Sequence, residues 1–141
     1  MGTTTELENT RVNIKVRLSA LWTSVTLCYL YGDYFELYVP QKVEGMLNGE
    51  NLLDSPGKLF AATAALAIPA LMVFLSMQLR PSFSRILNIV TGLFFTVVTL
   101  LIAFTSIAPW RAFYVFLAIT ESVLTALIVW YAVKWPRSRK E

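Results

Sequence analysis

The chain contains no histidine and a single cysteine, Cys28. Without imidazole there is no His-ligated haem or zinc, no histidine acid or base and no Ser–His nucleophile. One thiol cannot form a disulfide within the chain, and Cys28 lies in an apolar run where it reads as a small packing residue. Charge is scarce as well. Only 15% of the 141 residues are Asp, Glu, Lys or Arg and 56% are hydrophobic, too apolar a balance for one soluble core. There is no Walker loop, dinucleotide fingerprint, Asn-x-Ser/Thr sequon, repeat or low-complexity tract. No cofactor and no metal are therefore expected, and any chemistry must run on carboxylates, tyrosines or backbone.

What is present is length without charge. Three runs of about twenty residues, each with one or no interior charge, are long enough to cross a hydrocarbon core of about 30 Å as helices, and the opening apolar segment, which ends with Asp33 and Glu36, makes a fourth. The spans are placed at residues 18–39, 58–79, 84–107 and 112–133, giving an all-α, four-transmembrane-helix bundle. A polar segment, 1–17, precedes it, a loop at 40–57 links the first two spans, and a basic tail, 134–141, follows. The first run is too long for a signal-peptide core and lacks a small-x-small cleavage site, so it is expected to stay in the mature protein. Met1-Gly2-Thr3-Thr4-Thr5-Glu6 imitates a myristoylation start but has Glu6 where Ser or Thr is required, which argues against lipidation.

Basic residues divide unevenly. Arg11, Lys15 and Arg17, then Arg80 and Arg85, then Lys134, Arg137, Arg139 and Lys140 fall on one side of a four-span chain; Lys42, Lys58 and Arg111 fall on the other with Glu44, Glu50 and Asp54. The bias places both termini in the cytoplasm. The net charge of +3 then reports topology and attraction of the tail to anionic lipid, with no need for nucleic acid. Ser55-Pro56 reads as an N-cap followed by Pro at the first helical position, Pro81 interrupts the turn between the second and third spans, and Pro109 precedes the fourth. Trp110, Trp130, Trp135, Tyr114 and Tyr131 sit where interfacial anchors belong. In the loop, Val43, Met46 and Leu47 predict a short amphipathic turn at the interface.

At 100° per residue, Trp22, Thr26, Tyr29, Asp33 and Glu36 share one side of the first span, whereas Tyr31, Tyr34 and Tyr38 lie opposite with Leu27. The third span aligns Asn88, Gly92, Phe95, Thr99 and Ser106; the fourth aligns Tyr114, Ala118, Glu121, Thr125, Ala132 and Trp135. Pro69 interrupts the backbone hydrogen bonding of the second, which is rich in alanine. Counting from the outer ends at 1.5 Å per residue, Asp33 is expected about 9 Å deep and Glu121 about 13 Å deep, within a turn of one another. Glu36 is shallower, within reach of Lys42, Lys58 or Arg111. Carboxyl groups at such depth face a bundle interior and mark either a functional pathway or a polar packing network.

Taken in order, Leu18-Ser-Ala-Leu-Trp22, Tyr29-Leu-Tyr-Gly-Asp33, Asn88-Ile-Val-Thr-Gly92, Glu121 and Trp130-Tyr-Ala-Val-Lys-Trp135 resemble an uncharacterised family of small bacterial four-helix membrane proteins, a domain of unknown function. The resemblance implies four helices and the bacterial inner membrane, and it implies no activity. Where the family pattern has Asn before the tyrosine and an acid before the Ile-Pro of the second span, this chain has Cys28 and Ala67.

Three readings follow. In the first, an outward-facing pocket formed by Trp22, Tyr29, Asp33, Glu36, Asn88, Phe95, Thr99 and Glu121 binds a small lipophilic or cationic molecule, or a lipid. Its transport form exchanges protons at Glu121 or Asp33 and needs a homodimer to enclose enough volume. In the second, the protein is a structural or accessory subunit whose acids only organise helix packing. The third, an intramembrane isomerase using paired carboxylates, lacks any nucleophile or cofactor motif and is the least supported.

Overall fold

The computed structural model describes residues 10–136. The Gly2 start and the tail residues Arg137, Arg139 and Lys140 lie outside that range. Among the described residues the fold is entirely helical. Its elements are α1 (Ile14–Glu36), a short α2 (Lys42–Leu47), α3 (Pro56–Gln78), α4 (Pro81–Thr105), a 3-10 turn (Pro109–Arg111) and α5 (Ala112–Val133).

Local chemistry sets these boundaries. Asn13 caps α1, its Oδ1 accepting the Lys15 N–H at 2.9 Å, and Ser55 caps α3 through the Lys58 N–H at 3.3 Å, with Pro56 in the first turn. Pro81 opens α4 and Pro109 opens the 3-10 turn that leads into α5. The one clear displacement is α1, which runs 14–36 rather than 18–39. Pro40 disfavours a helical residue before it, and Gln41 adopts a left-handed φ of 64° that turns the chain into α2. Asp33 consequently lies about 4.5 Å, not 9 Å, below the helix end. The expected amphipathic turn is α2, with Val43, Met46 and Leu47 exposed.

Three helices are long and apolar enough to cross a membrane: Pro56–Gln78, Pro81–Thr105 and Pro109–Val133. α1 equals α3 in length, 23 residues, but Lys15, Arg17, Asp33 and Glu36 lie within it and lower its hydropathy. Phe60, Phe74, Val97, Leu101, Phe104 and Phe116 stand exposed on the outer surface, an apolar exterior that suits lipid rather than water.

The helices alternate in direction, so the N-terminus of α1 and the C-terminus of α5 meet at one end. There, long cations close helix C-termini. The Lys15 ammonium donates to the carbonyls of Met77 and Leu79 at 3.1 and 2.7 Å, and Arg85 donates to those of Ala132 and Val133 at 3.0 and 3.3 Å. Each satisfies orphan carbonyls and opposes the negative end of a helix dipole. The core consists of Leu18, Trp22, Val25, Met72, Phe95 and Ile128. α4 and α5 form the most extensive interface, α1 packs on α3 and α5, and α3 meets α4 sparingly.

Candidate functional site

The stripes predicted for α4 and α5 point inward, whereas on α1 Trp22 is buried, Thr26, Tyr29 and Glu36 are half-buried and Asp33 is exposed near the helix end. Asn88, Gly92, Phe95 and Thr99 are buried on α4, and Ala118, Glu121, Thr125 and Ala132 on α5. They do not form one site, because Phe95 divides them. Its ring packs edge-on against Trp22 (centroids 6.1 Å apart) on one side and tilted against Tyr29 (6.1 Å) on the other.

Below Phe95, toward the end where the termini meet, lies a closed network centred on Asn88. Its Oδ1 accepts the Trp22 indole N–H at 2.8 Å and the Ser76 hydroxyl at 3.2 Å. Its Nδ2 donates to the Ser84 carbonyl at 2.8 Å and the Ser84 hydroxyl oxygen at 3.3 Å. All four residues are fully buried, and Asn88 uses both donors and both acceptor positions. Trp22 and Asn88 therefore face one another instead of a cavity. At the level of Phe95 and one turn above it, a hydroxyl ladder joins α4 to α5, with Thr96 donating to Thr125 and Thr99 opposite Ser122, each pair 2.8 Å apart. Thr99 belongs to this ladder. Gly92 allows the approach, since a Cβ there would stand 2.8 Å from Val129 Cγ2.

Above Phe95 the helices separate around a cavity of about 170 Å³, close to the roughly 150 Å³ that accommodates a benzene ring. Its walls include Tyr29, Asp33, Phe95, Tyr114 and Glu121, with Ala65 and Leu66 from α3. Glu121 is only 5% exposed, and no hydrogen bond or ion pair reaches its carboxyl group among the described residues. The Tyr29 hydroxyl is buried and likewise without a partner. Ala65 adds an acceptor, because Pro69 inside α3 has no N–H for the carbonyl four residues earlier.

Two openings lead out of this chamber. Asp33, Ile102 and Tyr114 border both it and a larger vestibule of about 780 Å³. In the vestibule wall, Glu36 Oε1 accepts Lys42 at 3.0 Å and Arg111 at 2.7 Å, while Lys58 pairs with Asp54 instead, at 2.7 Å. The second opening is lateral. α3 buries Pro69, Met72 and Ser76 in its inner half, but from Gly57 to Ile68 every residue except Ala62 is exposed, so its outer half stands away from α4.

Of the eight residues singled out from sequence, Tyr29, Asp33, Phe95 and Glu121 meet at the inner chamber, and Asp33 and Glu36 at the vestibule. Gly32, Tyr114, Ala65 and Leu117 complete the inner wall. Tyr114 had a legible signal, standing two turns before Glu121 on one stripe; Ala65 and Leu117 had none, since neither carries a polar group.

No curated protein and no solved structure matches the chain. A family model does, covering residues 6–140, nearly the whole sequence. The chain accordingly belongs to DUF6326, a family of unknown function.

Proposed function

We propose that this is a four-span inner-membrane protein, with both termini cytoplasmic, that binds a small lipophilic cation in the chamber between α1, α3, α4 and α5. The observation that carries the reading is Glu121: a buried carboxyl group with no partner among the described residues, facing a cavity beside a tyrosine hydroxyl that likewise has none. Leaving such groups unpaired in a low-dielectric interior costs free energy that a ligand can recover. The chamber offers acceptors, aromatic faces from Tyr29, Phe95 and Tyr114, and no Lys or Arg in its wall, a combination that favours an ammonium over an anion. Its volume suits a single ring or short alkyl body, and the lateral opening suits a ligand that partitions into lipid. Exchange of the ligand for a proton at Glu121 gives the transport form, for which a homodimer is the expected assembly.

Benzylammonium is a fitting probe, with benzyl alcohol as its neutral counterpart. In detergent, benzylammonium is expected to raise Tm of the parent, benzyl alcohol to do so much less, and Glu121→Gln to abolish the difference. Equal responses to the two probes, or an undiminished response in Glu121→Gln, would overturn the reading. The second reading, a structural subunit, draws support from the Asn88 network, which shows polar groups serving packing alone in the same bundle. It gains if Glu121→Gln changes only Tm and no probe is bound.

A further inference from the structure

At the opposite end of the bundle from the chamber, the N-terminus of α1 and the C-terminus of α5 flank a groove of about 400 Å³ lined by Arg11, Val12, Ile14, Arg17, Tyr131 and Lys134. Two other cations at this end are already engaged, Lys15 on the carbonyls of α3 and Arg85 on those of α5. Arg11, Arg17 and Lys134 are different. Among the described residues, no salt bridge joins any of them to an acid and no Asp or Glu lines the groove.

The aromatic rings hold two of these cations in place. The Arg17 guanidinium lies 4.7 Å from the centroid of Tyr131, and the Lys134 ammonium 3.8 Å from that of Trp130. Such contacts restrain a long side chain while leaving its N–H donors available. The groove therefore gathers three positive charges, with the positive end of the α1 dipole offset by the negative end of α5 beside it. Next to them are Val12 and Ile14, with Val12 exposed just before α1 and Val16 exposed in its first turn, at the level that Trp130 and Trp135 mark as the membrane interface.

We infer that this groove is a binding site for the phosphate of an anionic phospholipid in the leaflet from which both termini emerge. The cations take the phosphate, and the apolar side chains beside them take the start of the acyl chains. A free phosphate would use only the first half of that surface. The inference is independent of what the chamber binds.

Native mass spectrometry of the full chain in detergent tests it, with phosphatidylglycerol, phosphatidylcholine and inorganic phosphate as probes. Phosphatidylglycerol is expected to be retained and phosphatidylcholine lost. At about a fivefold contribution from each basic residue near an anionic headgroup, Arg11→Gln with Lys134→Gln should weaken retention about thirtyfold. Arg80→Gln, at the same end but outside the groove, should leave it unchanged. If Arg80→Gln weakens retention as much as the pair does, the attraction is diffuse and the site is refuted; retention unaffected by the pair refutes it too. Inorganic phosphate that displaces the lipid at equal concentration would assign the groove to a soluble anion and overturn the lipid. Should the double variant lose its helical circular dichroism, Arg11→Gln alone, an exposed side chain, carries the comparison with an expected fivefold loss.

Discussion

At the scale of single residues, the contrast between Asn88 and Glu121 organises the interior. Both are polar, both are buried and both lie on predicted inward stripes, yet Asn88 has every hydrogen-bonding position filled and the Glu121 carboxyl has none. Removing Asn88 should therefore be costly for stability. Asn88→Ala leaves the Trp22 N–H and the Ser76 hydroxyl without their shared acceptor, and about 2 kcal/mol is expected from two deprived buried donors. Trp22→Phe removes one of those donors, so the double variant should fall short of the sum of the singles by about 0.6 kcal/mol or more, the usual size for interhelical hydrogen bonds in membranes. Additive losses in a denaturation cycle would show that the two do not act through this bond. Glu121→Gln should behave otherwise, with little change in stability, because no bond is lost.

Among the helices, two interfaces of opposite character decide where space is left. Gly92 brings α4 and α5 together over the hydroxyl ladder, and Gly92→Val should lower Tm by several degrees, since its side chain must displace Val129, which is stiff at χ1. α3 does the reverse in its outer half. With Cys28→Ser as background, a cysteine at Ala65 should react readily with a lipid-soluble maleimide, whereas one at Met72, buried in the inner half of the same helix, should not. Equal reactivity at the two positions would mean that α3 is not parted from α4 there. The inward stripes of α4 and α5 were legible in the sequence because a 3.6-residue period fixes which side of a helix is apolar, small or polar. What could not be read was which stripe residues would find each other. Trp22 and Tyr29 share a face of α1, and nothing within α1 says that Phe95, from α4, packs against both rings and separates them. Nor do the alanines of α3, all between 61 and 70, reveal that close packing stops at Pro69, for small residues there suggest contact and the outcome depends on the neighbour's shape.

For the whole molecule, the side chains that tie helix ends together fix the relative directions of α1, α3, α4 and α5, and the distribution of Lys and Arg supplies the expected orientation. A green-fluorescent reporter fused after Glu141 should fluoresce in cells, and an enzyme reporter active only outside the cytoplasm should be silent at the same site. The opposite pair of results would invert the proposed topology. The placement of four helices was legible from charge-free length, to within four residues at each end. α1 departs furthest from its expected extent, because its charges sit near its ends, where capping at Asn13 and the turn at Pro40 set the limits more than hydropathy does.

The position of Glu121 along α5 has an electrical consequence. It lies about 13 Å, nine residues, from the first residue of α5, a little under half of a hydrocarbon core of about 30 Å. A cation that reaches it from the vestibule has crossed the same fraction of the transmembrane field. At about 2.3 kcal/mol per charge for each 100 mV across the full membrane, that is about 1 kcal/mol. Occupancy by the proposed ligand should thus strengthen about fivefold per 100 mV of inside-negative potential, a dependence measurable in vesicles with an imposed potassium gradient. A buried acid without a counter-ion would then respond to membrane voltage as well as to ligand concentration.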